Sequence, residues 1–240
     1  VTRFILIALC LSLLAAPGRA GPDEDFETAV RLAEQGQYEE AATRLRLLAQ
    51  QGHAGAQYNL GFLYDMGWGV DQDFFAAFNW YSQAADRGLA QAQYNIGVMY
   101  YLGRGVDQNF EQAFDYYTLA AEAGLPEAQT NLAYFYETGQ GVEADPAAAA
   151  RWYTRAAEQG SDKAQFNLGY LYAKGLGVEQ NLIEAYKWFT LATMLGHEQA
   201  AKNRTLIAQA MTDEELILGD RALRDFLAEH PALAQSLQSR

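Results

Sequence analysis

Residues 53–88 read HAGAQYNLGFLYDMGWGVDQDFFAAFNWYSQAADRG, and the 36-residue pattern they set returns three more times without insertion or deletion. A shift of 36 superposes Asn59 on Asn95, Asn131, Asn167 and Asn203, Tyr64 on Tyr100, Tyr136 and Tyr172, and Ala77 on Ala113, Ala149 and Ala185. It also superposes the Gly-x-Gly-Val segments that begin at Gly67, Gly103, Gly139 and Gly175, and the aromatic column Trp80, Tyr116, Trp152 and Trp188. Gly61, Gly97 and Gly169 form a further column, with Ala133 in the remaining place. A fixed period of this length marks a stack of identical supersecondary units.

Each unit reads as two helices. Ala56, Leu60, Leu63 and Tyr64 recur at three- and four-residue steps and line one helical face. The Gly-x-Gly-Val segment ends that helix: Gly67 suits the left-handed position past a helix terminus, and Val70 plugs the gap between layers. In the second helix Phe74, Ala77, Phe78, Tyr81, Ala84 and Ala85 repeat the geometry up to Gly88. Small residues at Gly61, Ala77 and Ala84 let the two axes approach, with Tyr64, Trp80 and Tyr81 filling the space beside them. A glycine inside a helix costs about 1 kcal/mol against alanine, so its recurrence is a packing requirement.

One hairpin cannot bury its apolar face alone, so stacked copies supply each other's cores and the ends need caps. The expected boundaries are a capping repeat over 21–52, full repeats over 53–88, 89–124, 125–160 and 161–196, and a partial repeat with capping helices over 197–240. The first cap has its turn at Gly36. In the last segment Ala200 and Asn203 begin a fifth first helix, Thr212 and Glu215 form a capping box, and Pro231 ends the terminal helix.

Residues 1–20 carry Arg3, an uncharged apolar run from Phe4 to Ala16, and small residues at Gly18 and Ala20, the pattern of a secretory signal peptide cleaved after Ala20. The run is shorter than the roughly 20 apolar residues a bilayer span needs. Valine at position 1 reads as an alternative bacterial start, and the expected location is periplasmic or secreted. Cys10 lacks the context of a lipidation site, and cleavage would leave a chain without cysteine. Loss of Arg3 and Arg19 would also lower 17 basic residues to 15, against 30 acidic ones. A chain so acidic repels a phosphate backbone, which argues against a nucleic-acid partner.

The pattern of Ala56, Asn59, Leu60, Gly61, Tyr64, Gly67, Gly69, Val70, Ala77, Trp80, Tyr81, Ala84, Ala85 and Gly88 resembles the Sel-1-like repeat family, a branch of the tetratricopeptide-type helical proteins. The resemblance implies an all-α fold, a right-handed α-solenoid of stacked helix-turn-helix repeats. It also implies a scaffold that binds a protein or peptide on its concave face, commonly in bacterial envelope signalling, assembly or secretion. Some disulfide-rich relatives have been assigned β-lactam or cell-wall-peptide hydrolysis, the alternative function. This chain lacks their cysteines.

By the same resemblance the first helices line the groove, and an asparagine before the Leu-Gly pair bonds a ligand's backbone. The matching residues are Asn59, Asn95, Asn131, Asn167 and Asn203. Helical spacing adds Tyr58, Phe62, Tyr94, Tyr101, Tyr134, Phe166 and Tyr170 as groove aromatics. A column of Asn that only satisfies backbone groups between hairpins fits the same spacing, while Trp80, Trp152 and Trp188 read as core. Groove charge is mixed, with Asp65 and Glu137 in one column and Lys174 and Lys202 towards the C-terminal end.

Catalytic constellations are missing from the sequence. His53 and His197 occupy equivalent turns, and His197-Glu198 has no second histidine four residues on, so the zinc-protease motif fails. No Gly-x-Ser-x-Gly or Ser-x-x-Lys occurs, and Asp71 with Asp73 lacks the rest of a calcium loop. The expectation is a non-enzyme with no cofactor and no metal, whose partner is a protein or peptide of the envelope.

Overall fold

The computed structural model describes residues 22–238, which hold α-helices and no strand. The expected signal peptide and Cys10 lie outside the described residues. The helices are α1 (Pro22–Glu34), α2 (Tyr38–Gln50), α3 (Ala54–Met66), α4 (Phe74–Ala85), α5 (Ala90–Leu102), α6 (Phe110–Glu122), α7 (Pro126–Thr138), α8 (Pro146–Glu158), α9 (Asp162–Lys174), α10 (Leu182–Met194), α11 (Glu198–Ala210), α12 (Asp213–Glu229) and α13 (Pro231–Gln238). The fold is thus the all-α repeat architecture expected from the sequence. The chain forms two compact units, one ending at Leu119 and the other beginning at Ala120.

Local chemistry sets the helix ends. The Asp73 carboxylate caps α4 by accepting from the amide of Ala76 at 2.9 Å, and Asp145 does the same for α8. His53 and His197, read as turn residues, are N-caps: each Nδ1 accepts an amide hydrogen, from Ala56 at 3.1 Å and Ala200 at 3.2 Å. Gly67 ends α3 at φ 69° and its amide bonds the carbonyl of Leu63. The second glycine of each loop has a different duty. A Cβ on Gly69 would stand 2.3 Å from the backbone of Tyr38, and one on Gly177 would stand 2.1 Å from the carbonyl oxygen of Pro146. The loop therefore lies directly on the start of the preceding hairpin's second helix, and Val70 packs against the cluster of α1, α2 and α3.

In the first unit Leu45, Leu60 and Leu63 fill one cluster, and Ala77, Tyr81, Ala84 and Ile96 the next. The glycines inside the first helices serve rings: a Cβ on Gly61 would meet the Tyr81 ring at 2.9 Å, and one on Gly97 the Tyr117 ring at 2.8 Å. In the second unit Ala133, Ala149, Tyr153, Leu168 and Trp188 make the main core. Trp188 is buried, whereas Trp80 and Trp152 are only partly so, Trp152 lying under the guanidinium of Arg155 at 4.6 Å. The fully buried aromatic column is the next residue along: Tyr81, Tyr117, Tyr153 and Phe189.

At the C-terminal end α12 packs on α10, with Gly219 against the Tyr186 ring and Phe226 edge-on to Trp188 at 5.0 Å. The capping box forms, the Thr212 hydroxyl accepting from the Glu215 amide while the Glu215 carboxylate accepts from the Thr212 amide. Pro231 follows the end of α12 but does not end the helical structure. Its fixed φ suits a first helical position, and α13 begins there.

Candidate functional site

The first helices α3, α5, α7, α9 and α11 carry every residue expected to bind. Burial divides them. Asn59 has no exposed surface, and neither its amide nitrogen nor its oxygen has a hydrogen-bond partner. Tyr58 and Phe62 are 9% and 7% exposed. These three belong to the interior, which corrects their assignment to an open groove. Tyr58 packs on Tyr81 with ring centroids 5.5 Å apart, Tyr94 on Tyr117 at 5.8 Å and Phe166 on Phe189 at 5.8 Å. That aromatic column braces the buried second-helix rings. Tyr101 stands 5.7 Å from Phe110 and is half-buried. Tyr134 and Tyr170, at 39% and 40%, are the exposed tyrosines of the set.

Asn95 and Asn167 face buried tyrosine rings, and Asn131 is half-buried on α7. The Tyr153 hydroxyl donates to Oε2 of Glu137 at 2.7 Å, and the Asn167 side chain stands beside that hydroxyl. Burial, followed by the Glu137 charge, holds that phenol far above its ordinary value. In the first unit Tyr81, Asp65 and Asn95 are the corresponding residues. The Tyr81 phenol is raised by burial and then by Asp65, but neither its hydroxyl nor Oδ1 of Asp65 closes a hydrogen bond of good geometry. The Asp65 carboxyl is itself raised by burial, with Arg104 pulling it down. Asp65 and Glu137 are therefore internal partners of the tyrosine column rather than free groove charges. The register also explains Asn59: the place held by a tyrosine before Asn95 and Asn167 is held by Leu45 before Asn59, and leucine has no hydroxyl to offer.

A second polar column recurs in the repeat, beyond the residues expected to bind. Gln57, Gln93, Gln129 and Gln165 are buried, and each donates its amide to a carbonyl at the end of the preceding second helix, respectively Ala49, Ala85, Ala121 and Ala157. Helix C-termini leave carbonyls without intrahelical partners, and these glutamines satisfy one per junction. Gln129 also accepts from Gln159 at 2.8 Å, and Gln57 from Arg87 at 3.2 Å.

The acid is not constant along its column, since Tyr101 holds that place beside Tyr117. In the last repeat Phe189 replaces the tyrosine as well and Ala173 holds the acid's place, so hydroxyl and carboxylate are both missing. A cleft of about 300 Å³ opens there between α9 and α11. Phe189 and Ala173 line it with Tyr170, Leu206 and Ile207, and Lys174 and Asn203 supply its polar edge. Lys202 is exposed on α11 and does not line it. Among the described residues no cluster of three His, Cys, Asp or Glu side chains is placed to hold a metal, and no helix is long and apolar enough to cross a membrane.

Stacked hairpins at fixed spacing, each turned by a two-glycine loop and pinned by a buried glutamine at four junctions, define an α-helical repeat protein. A family model for the Sel1 repeat matches residues 54–89, 90–125, 126–161 and 162–197, and the chain belongs to the Sel1 repeat family, whose members generally serve as scaffolds for protein interaction. It is similar to a protective antigen with an SLR fold from uropathogenic Escherichia coli, at 31% identity and a TM-score of 0.81 over 92% of this chain and 48% of that one. A Sel1 repeat protein from Oxalobacter formigenes is 31% identical with a TM-score of 0.71, over 76% and 77% of the two chains. Among curated proteins, an exopolysaccharide production negative regulator of Rhizobium leguminosarum bv. viciae is 32% identical over 99 residues, 35% of this chain and 37% of that protein. The chain thus spans about half the antigen and little more than a third of the regulator.

Proposed function

We propose that this protein is a non-enzymatic scaffold of the bacterial envelope that captures a protein or peptide segment on the first-helix face of its second unit. The observation that carries this reading is the contrast between two kinds of column. Positions that build the fold keep the same small, aromatic or glutamine residue and are buried. The column Phe62, Val98, Tyr134 and Tyr170 changes from repeat to repeat, and its last two members stand exposed on consecutive first helices. Tyrosines in such a position give large contact area with few rotors to immobilise. The Asn column makes a poor target for a test, because Asn95 and Asn167 serve buried tyrosines.

The test is affinity capture from envelope extract, comparing wild type with the Tyr134→Ala, Tyr170→Ala double variant. Both side chains are exposed, so helical circular dichroism should be unchanged, while the specifically retained protein should be lost. Retention of the same protein by the double variant would sink the proposal. The Rhizobium relative supports a regulatory version of it. Deletion of the gene would then change exopolysaccharide output, and reintroducing the double variant would fail to restore it.

A further inference from the structure

We propose that the cleft between α9 and α11 is an anchor subsite for a peptide segment in which a large apolar side chain is followed by a carboxylate. This rests on the peptide-binding reading of the same face and adds the chemistry of what is bound.

The comparison with the preceding junction carries the inference. There the Tyr153 hydroxyl, the Glu137 carboxylate and the Asn167 amide occupy the space between α7, α8 and α9. One repeat later the ring is kept, since Phe189 is 1% exposed and abuts Gly169 as tyrosines abut Gly61 and Gly97, but both oxygen-bearing groups are gone. The two changes together turn a closed polar contact into an open apolar hollow. Replacing the tyrosine alone would have left an acid facing a benzyl ring. The walls, Tyr170 and Leu206, are large and exposed, at 40% and 64%, so the hollow opens to solvent rather than into the core.

Two polar groups border it, and neither side chain has a partner among the described residues. Asn203 has no hydroxyl opposite it, unlike Asn95 and Asn167, and among the described residues its side chain makes no hydrogen bond. Lys174, at the exposed end of α9, makes no ion pair or side-chain hydrogen bond among the described residues. A cation and an amide beside an apolar hollow fit a peptide that inserts a Leu, Phe or Trp side chain, bonds Asn203 through its backbone, and sets a carboxylate against Lys174. The net charge of −13 does not forbid this, because fields from distant acids are screened over about 8 Å at physiological ionic strength. A volume near 300 Å³ sits at the small end of ligand pockets and accommodates one such anchor.

The probes are four blocked hexapeptides with central Trp-Glu, Trp-Gln, Ala-Glu or Ala-Gln, titrated into the full chain and followed by amide and methyl chemical shifts. The Trp-Glu peptide should shift Asn203, Leu206 and Ile207, with Ala-Glu weaker by more than about tenfold and Trp-Gln by roughly threefold. Lys174→Gln should abolish the Glu-over-Gln preference while keeping the Trp-over-Ala one. A second variant, Ala173→Glu with Phe189→Tyr, rebuilds the Glu137–Tyr153 pair in this junction. It should fold as well as wild type by circular dichroism and lose the peptide.

The inference is overturned if no cleft resonance moves, if the rebuilt variant binds unchanged, or if a fatty acid or a second copy of the chain fills the cleft with no preference between Glu and Gln. A partner released by Tyr134→Ala but held equally by the rebuilt variant would refute the subsite and leave the broader scaffold reading standing.

Discussion

The Tyr153 hydroxyl reaches across its hairpin to the Glu137 carboxylate at 2.7 Å, a direct polar link between the paired helices α7 and α8. The bond joins the fully buried ring column to the first-helix face, and at the next repeat Phe189 and Ala173 supply neither of its partners.

Tyr153→Phe removes the donor and leaves Glu137 without it in a half-buried site, so the variant should lose about 1–2 kcal/mol in urea denaturation. Adding Glu137→Ala reproduces the combination at Phe189 and Ala173, and should recover part of the loss. A coupling of about 1 kcal/mol in the double-mutant cycle is expected, and simple additivity would show that the bond is worth nothing net.

Asp65 predicts a pH dependence. Burial raises its carboxyl above the ordinary 3.8, and the opposing pull of Arg104 is the smaller effect. In the interval between the unfolded and folded values the native chain binds more protons. This group's contribution is therefore fully present below the unfolded value and declines as pH rises through the folded one. Asp65→Asn should match wild type near about pH 3.5 and become the more stable protein as pH rises towards 7, by urea midpoints at successive pH values. Parallel curves would count against a carboxylate oxygen shielded without a partner.

Two glycines with similar backbone angles should respond differently. Gly36 has φ 79° and nothing within 4 Å of an added Cβ, so Gly36→Ala should cost only the left-handed strain, about 1 kcal/mol. Gly177 has φ 69° and would drive a Cβ to 2.1 Å from the Pro146 oxygen. Gly177→Ala must part the loop from α8 and should cost more than about 3 kcal/mol in thermal or urea melts.

Gln129→Leu keeps the side-chain volume but strips two hydrogen bonds, to the Ala121 carbonyl and from Gln159. A loss of about 1–2 kcal/mol is expected, read as a lower melting temperature with unchanged helical content. A neutral effect would mean that water replaces the amide at the end of α6.

Repeat length, helix pairing, the loop glycines and the capping box at Thr212 and Glu215 were legible in the sequence. Each answers to a local cause: a 3.6-residue apolar period, a residue able to take φ near 70°, or a side chain that caps its own backbone. The pairing of Asp65 with Tyr81, Tyr101 with Tyr117, Glu137 with Tyr153 and Ala173 with Phe189 was present in the letters too. Its meaning was not, because those partners are 16 residues apart and meet only when two helices fold against each other.

Periodicity says which residues share a helical face but not what covers that face. Tyr58, Phe62 and Tyr170 belong to first helices and aromatic positions alike, yet the first two are sealed against neighbouring rings and the third stands open. Asn59 and Asn203 occupy the same column, one enclosed beyond Leu45 and the other bordering a cleft. Exposure depends on the volume and chemistry of the side chain supplied by the next hairpin, so packing in three dimensions sorted framework from surface where the repeat alone gave them equal standing.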